Sequence, residues 1–225
     1  MSPERARAIR AWQDAVFESE MARTDDALVE YLGLTLTIPP QVQPITGMSD
    51  LLGEAVRDEV READRVLDMG TGSGVNAILA AAVSDDVVAV DVNPYAVDAA
   101  RKNAESNGVA SNVRVLEGDL FTSVDGAFDL VVFDPPFRWF APRDLRERST
   151  TDEDYETLTG FFRDVGQYLT PDGRILLFFG TSGDVGYLHE LIRRAGFAAE
   201  KLRTRSRTKD GLDVEYFTYR LRRPR

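Results

Sequence analysis

The sequence predicts an α/β fold: a largely parallel sheet with helices on both faces, ending in an antiparallel hairpin. Three observations carry this reading. From about Arg65 onward, short β-branched runs alternate with helical patterns, the signature of βαβ units. The first run passes through a glycine-rich turn, Gly70-Thr71-Gly72-Ser73-Gly74, directly into a helical pattern. The chain then changes character near its end, where two extended runs flank Lys209-Asp210-Gly211.

The 225 residues suffice for one full domain with an appendage of roughly 50 residues. With 43% hydrophobic and 29% charged residues, the chain can bury its own core. It has no Cys, which excludes a disulfide framework, a thiolate nucleophile and Cys-ligated metal. A single His, His189, leaves little material for a Ser-His-Asp engine or a histidine-rich metal site, so no metal is expected. We expect His189 to be a surface or packing residue. The longest apolar runs, 77–83 and 175–179, fall far short of the ~20 residues that span a bilayer. The charged amphipathic start lacks the apolar segment of a signal peptide, so a cytoplasmic location without a membrane partner is expected.

Taken in order, residues 1–41 form an N-terminal helical extension and residues 42–225 the main domain. Residues 4–31 have a helical period, with Ile9, Trp12, Val16 and Phe17 on one face, and a short extended piece follows at 34–38. Forty residues are too few for a domain. They either pack on the sheet as an extra helix or fold over the site as a lid, with Trp12 and Tyr31 closing on a ligand. Strands are predicted at 66–69, 87–91, 113–117, 130–134 and 174–180, with helices at 75–83, 94–107, 152–169 and 185–195. Asn93 before Pro94 is a cap followed by a first-turn proline, Asn107-Gly108 closes that helix, and Pro171-Asp172-Gly173 turns into the next strand. The hairpin comprises 197–207 and 214–221.

The formal net charge of -11 disfavours a non-specific grip on nucleic acid. The charge is uneven, because residues 201–225 carry nine Lys or Arg against three Asp or Glu. Between Lys201 and Lys209 the cations fall on alternate positions, one face of a strand. That face is either a surface for an acidic partner or a solvated edge strand, and the sequence favours the second.

The chemistry-bearing residues sit at strand ends. Asp68 precedes the glycine turn, where a backbone free of side chains admits a ligand and the following helix offers unpaired N–H groups. Gly70, Thr71, Gly72, Gly74 and Asn76 are the candidate residues of this loop. A dinucleotide fingerprint needs glycine where Val75 stands, and Asp68 would repel a pyrophosphate but attract an ammonium group. Asp91, with Val92 and Asn93, lies 21 residues after Gly70, a spacing that suits a carboxylate receiving ribose hydroxyls. Asp119 and Leu120 end the third strand, where the carboxylate can accept from an exocyclic amine while the Leu120 N–H donates to a ring.

These motifs resemble the cofactor motifs of class I S-adenosylmethionine-dependent methyltransferases, over about residues 42–222. The resemblance implies a Rossmann-like seven-stranded sheet with a C-terminal antiparallel hairpin, and S-adenosylmethionine as cofactor. Asp68 and the glycine loop would hold its methionine end, Asp91 the ribose, and Asp119 with Leu120 the adenine. The fourth strand runs into Asp134-Pro135-Pro136-Phe137, in which two prolines fix the backbone so that Asp134 and the Pro135 carbonyl present rigid acceptors for a planar –NH2 group. Phe137 can lie against that group's face. This tetrapeptide resembles the [D/N]-P-P-[Y/F] signature of amino-directed methyltransferases, and the segment 42–52 brings it nearest to the glutamine-directed branch. It departs from that branch by having Asp and Phe where those enzymes have Asn and Tyr, and by a much shorter N-terminal extension.

The expectation from sequence is therefore an N-methyltransferase with Asp134, Pro135, Pro136 and Phe137 as catalytic residues. Trp139, Phe140, Arg138 and Tyr31 are candidate walls of the substrate pocket. The short cap and acidic charge favour a small-molecule acceptor over protein, with nucleic acid disfavoured. Methylation of a protein glutamine is the alternative. Two further alternatives are cyclisation of the cofactor itself to azetidine-2-carboxylate and a non-catalytic cofactor-binding partner subunit.

Overall fold

The computed structural model describes residues 2–209 and 211–224. Helix α1 (Pro3–Met21) opens the chain, followed by strands β1 (Ala27–Tyr31) and β2 (Leu34–Ile38), and helix α2 (Asp50–Glu59). The alternating core then runs β3 (Arg65–Met69), α3 (Val75–Ala81), β4 (Asp86–Asp91), α4 (Pro94–Ser106), β5 (Val113–Glu117) and β6 (Phe128–Phe133). Helix α5 (Glu156–Asp164), strand β7 (Leu169–Gly180), helix α6 (Val185–Arg194), and strands β8 (Ala198–Lys209) and β9 (Leu212–Arg222) complete it.

The seven-stranded sheet has the order β5-β4-β3-β6-β7-β9-β8, parallel except where β9 pairs with β7 and β8. This is the Rossmann-like architecture expected from the sequence. Central strands are covered on both faces, so β3 and β6 are apolar at their centres, and Val66, Leu67, Leu130, Val131 and Val132 are fully buried. The chain winds outward through β3, β4 and β5, then returns to place β6 on the other side of β3. This reversal opens a crevice beyond the carboxyl ends of β3 and β6, where open α/β sheets bind ligands. Met69 and Phe133 are register partners, so Gly70 and Asp134 leave the sheet side by side.

The predicted helix over residues 4–31 ends at Met21, and residues 27–31 instead form β1, an antiparallel hairpin with β2 in which Tyr31 faces Leu34. Leu32 (φ 47°) and Gly33 (φ 84°) supply the two left-handed positions of a tight hairpin turn. A five-residue alternating run is too short to reveal its period beside a longer amphipathic helix. The predicted helix over 152–169 also shortens to α5, because Asp154 (φ 50°) and Tyr155 (φ 59°) are left-handed. The predicted turn at Lys209-Asp210-Gly211 includes Asp210, which lies outside the described residues.

Two of the alternating cations of β8 pair with α2 and one with β9. Arg203 pairs with Glu54 at 2.8 Å and with Asp58, Arg205 pairs with Asp50 at 2.8 Å, and Lys201 pairs with Glu215 at 2.7 Å. A β-bulge between Lys201 and Arg203 interrupts the strict alternation. His189 packs on the sheet, with Nε2 at 3.0 Å from the Tyr219 hydroxyl. Among the described residues, no helix is long and apolar enough to cross a membrane.

Candidate active site

Asp68 is 1% exposed and lies beneath the glycine loop. Its Oδ2 accepts from the Thr71 hydroxyl at 2.6 Å and from the Ala77 N–H at 3.0 Å, which pins the loop to the first turn of α3. Burial pushes its pKa up to about 7 against those two hydrogen bonds. Gly70 (φ 67°) and Gly72 (φ 56°) require the left-handed backbone, and a Cβ at Gly72 would meet no protein atom within 4 Å. That free space faces the crevice. Gly74 has another reason to be glycine, because a Cβ there would stand 2.9 Å from Cα of Ala100 on α4.

Asp91 ends β4. Its Oδ2 accepts from the Gly72 N–H and its Oδ1 from the Asn93 N–H, both at 2.8 Å, so one carboxylate ties two loops together at the crevice wall. Burial raises its pKa, and backbone hydrogen bonds hold it back. Asn93 caps α4 by accepting from the Tyr95 N–H at 3.0 Å. Across the crevice, Leu120 adopts φ 49° and Asp119 pairs with Arg148 at 2.8 Å. Gly70, Thr71, Gly72, Asn76, Asp91, Val92, Asn93, Asp119, Leu120, Asp134 and Pro136 line this first cavity together. Asp68 and Gly74 do not; they shape it from behind.

The carboxylates of Asp91, Asp119 and Asp134 around this cavity, with Arg148 at its edge, suit a nucleoside bearing cationic groups and oppose a pyrophosphate. The residues present therefore fit S-adenosylmethionine.

A second cavity adjoins the first across Asp134, sharing Gln43, Pro44, Ser49 and Ser149 with it. Its walls are α1 (Trp12, Ala15, Val16, Ser19), the segment of Thr46 and Met48, the turn residues Pro135, Phe137 and Arg138, and Phe178, Arg207 and Tyr216 from the sheet. Asp134 is crowded by protein yet open to the cavities, and its carboxylate accepts no hydrogen bond from the described residues. Desolvation, with a contribution from the charge of Asp68, pushes its pKa up to about 7. Phe137 is buried against Phe179, with ring centroids 5.0 Å apart.

Of the other predicted pocket residues, Arg138 lines the second cavity, 7% exposed, with its guanidinium 4.5 Å over Trp12 and donating to Gln13 Oε1. Trp139 and Phe140 pack against each other with tilted rings, centroids 4.7 Å apart, and line neither cavity, and Arg10 of α1 covers Phe140. Tyr31 packs against α2 at Gly53 and is likewise absent from both linings.

Sequence reasoning missed Tyr155 and Gly183. The Tyr155 hydroxyl donates to the Phe137 carbonyl at 3.2 Å and accepts from the Asp184 N–H at 2.6 Å. A Cβ on Gly183 would stand 2.3 Å from the same carbonyl. The Asp134–Phe137 turn is thus clamped from α5 and from the end of β7. A lone Tyr at a helix start carries no sequence signal for this.

The methyltransferase small domain model matches residues 46–194, the segment that builds the crevice. The chain belongs to this family of S-adenosylmethionine-dependent methyltransferases. Ribosomal protein L11 methyltransferase of an Exiguobacterium species is 48% identical over 80 residues, 35% of this chain and 26% of that one. A provisionally named protein N5-glutamine methyltransferase of Methanocaldococcus jannaschii is 39% identical over 111 residues, 49% and 54% of the two chains. The chain thus spans between about a quarter and a half of the length of these relatives. Two solved structures share its fold. A ribosomal protein L11 methylase from Lactobacillus delbrueckii has a TM-score of 0.61 at 20% identity, covering 82% of each chain. The M. jannaschii tRNA m1G37 methyltransferase has a TM-score of 0.66 at 16% identity, covering 91% of this chain and 58% of that one.

These relatives correct the expected partner. The small-molecule acceptor favoured from charge and cap length is not what these relatives are named for: both sequence relatives are named as methyltransferases of proteins. The physical reason is that net charge and extension length are sums over the chain, whereas an acceptor meets only the cavity mouth.

Proposed function

We propose that this chain methylates the side-chain amide nitrogen of a glutamine in a protein, with S-adenosylmethionine in the first cavity and the glutamine in the second. The observation that carries this reading is the Asp134 carboxylate, open to both cavities at the end of a rigid turn and without a hydrogen-bond donor among the described residues. The M. jannaschii relative supports the choice of acceptor. The cofactor supplies a methyl group on an electrophilic sulfonium.

The chain's own residues supply position and a proton acceptor. Asp134 and the Pro135 carbonyl accept the two amide N–H groups, which turns the nitrogen toward the first cavity. Such alignment is worth about 7 to 11 kcal/mol in favourable cases. An amide nitrogen must shed a proton as it takes the methyl group, and a carboxylate with a pKa of about 7 is matched to receive it near neutral pH. Pro135 and Pro136 carry no N–H that could compete for these acceptors. Residues 1–41, through α1, close the acceptor side.

Two variants test the assignment of parts. Asp91→Ala is expected to weaken calorimetric binding of S-adenosylhomocysteine at least tenfold, about 1.4 kcal/mol or more for lost charge-assisted hydrogen bonds. Unchanged affinity would remove Asp91 from the ribose role. Tyr155→Phe, which frees the Phe137 carbonyl, is expected to lower kcat by about tenfold with cofactor affinity unchanged, because small displacements of a reacting group are costly. An unaltered kcat would show that the turn holds itself. The reading as a whole stands on mass spectrometry of host proteins incubated with methyl-labelled cofactor: label on a glutamine nitrogen supports it, and label confined to other residues or to RNA overturns it.

A further inference from the structure

The second cavity carries two arginines that form no direct ion pair among the described residues. Arg138 is almost fully buried, and its side-chain hydrogen-bond partners are neutral, the amide of Gln13 and the hydroxyl of Tyr216. The carboxylate beyond that amide, Glu147, acts on Arg138 only across Gln13. It is gripped directly by Arg143 through Nε at 2.8 Å and a terminal nitrogen at 2.5 Å, while Arg143 also meets Asp14 at 3.1 Å. Arg207 stands exposed where β8 meets the same cavity, and it forms no ion pair among the described residues. Its neighbours Arg203 and Arg205 are both held by α2. The remaining acids of this cavity do not compensate: Glu20 pairs with Arg23 at 3.4 Å, and Asp134 forms no ion pair with either arginine.

A buried guanidinium without a directly paired anion leaves donor capacity unused, and planar carboxylates are its best-fitting partners. We propose that the second cavity recognises a carboxylate carried by the acceptor polypeptide beside the methylated nitrogen, so that the substrate class is an acidic protein segment. Arg138 receives that carboxylate at depth and Arg207 steers it at the mouth, which also raises the rate of encounter. This rests on the reading of the acceptor as a protein glutamine. An Asp or Glu side chain and a free chain terminus present the same chemistry, and the test separates them.

Three short synthetic peptides, each with a single Gln, serve as probes. The first has Glu on both sides of the Gln and an amidated end, the second has Ser in those places and an amidated end, and the third has Ser and a free carboxylate close after the Gln. Calorimetry on the protein saturated with S-adenosylhomocysteine is expected to show one or both carboxylate-bearing peptides binding at least about tenfold more tightly than the amidated Ser peptide. The preference should fall with salt and collapse in both Arg138→Gln and Arg207→Ser. Arg207 is exposed, so its variant keeps the test valid even if Arg138→Gln does not fold. Equal binding of all three peptides, or a preference that survives Arg207→Ser, would overturn the proposal. Mass spectrometry of the same peptides separates the two claims. Glutamine methylation without a carboxylate preference sinks the arginine assignment and keeps the glutamine reading; carboxylate-dependent binding without methylation does the reverse.

Discussion

Replacing Asp134 by Ala is expected to slow methyl transfer by about 10²- to 10⁴-fold, the range for losing a positioned proton acceptor, while cofactor affinity changes far less. Equal losses in both would move Asp134 out of the transfer step and into cofactor binding. Asp134→Asn separates orientation from proton transfer, because the amide keeps one carbonyl acceptor but cannot be charged. Wild-type kcat/KM is expected to rise with pH along a single titration near 7, where the Asp134 carboxylate of the free enzyme forms, and that of the Asn variant to be lower and flat over the same range. A profile unchanged by Asn would assign the titration elsewhere, with buried Asp68 the next group to test.

The same shift has a stability consequence of definite sign. Its folded pKa lies above the ordinary 3.8, so the folded state holds this proton more tightly than the unfolded chain does. The resulting stabilisation is complete below about pH 4 and is lost as pH rises through 7. Asp134→Asn removes that loss, so the Tm of the variant minus that of the wild type should grow between pH 4 and pH 8. A difference that shrinks over this interval would contradict the raised pKa.

The second large effect concerns the fold alone. Arg174→Met is expected to destabilise the protein by about 3–5 kcal/mol, the cost of removing one partner of a buried ionic network. Arg174 is 1% exposed and bonds Asp64 Oδ2 at 2.7 Å, the Asp129 carbonyl at 3.0 Å and the Glu59 carbonyl, joining β7 to β6, to the end of α2 and to the turn before β3. At roughly 2–4 °C per kcal/mol for a chain of this size, Tm should fall by about 10 °C. Adding Asp64→Asn should recover part of the loss, because the carboxylate stranded by the first change is then neutral. A thermal melt showing a loss below about 1 kcal/mol would mean that Glu59, which also pairs with Arg220 at 2.5 Å, carries the junction without Arg174.

The strand-end residues that line the first cavity were legible in the sequence because strand ends are a local matter. An apolar run that stops at Asp91 or Asp134, a glycine triplet that must take left-handed backbone, and a proline pair that stiffens a turn each act through a few neighbouring residues. Those local rules were enough to place the parallel strands, their order of use and the carboxylates at their carboxyl ends. Asp68 shows where such rules stop. Its position at a strand end was readable, but its direction, down onto Thr71 and α3, depends on how that helix packs against the sheet.

The strand β1 was hidden because five alternating residues beside a long helix have no resolvable period, and only pairing with β2 defines them. The second cavity was legible only in part: Asp134, Pro135, Phe137 and Arg138 were named from the sequence, but not the way α1 walls them in. Gln13 reaches Arg138 across 125 residues and Glu147 across 134, and these long-range side-chain contacts hold α1 in place as a wall. Alternation alone put Arg203, Arg205 and Arg207 on one face, and only the position of α2 neutralised the first two and left the third open. The sequence determined the sheet, the cofactor loops and the Asp134-Pro135-Pro136-Phe137 turn, since these follow from backbone conformation and local periodicity. The tertiary structure decided which charges are paired, which are stranded and what faces the acceptor, since burial and counter-ions are properties of elements far apart in the chain.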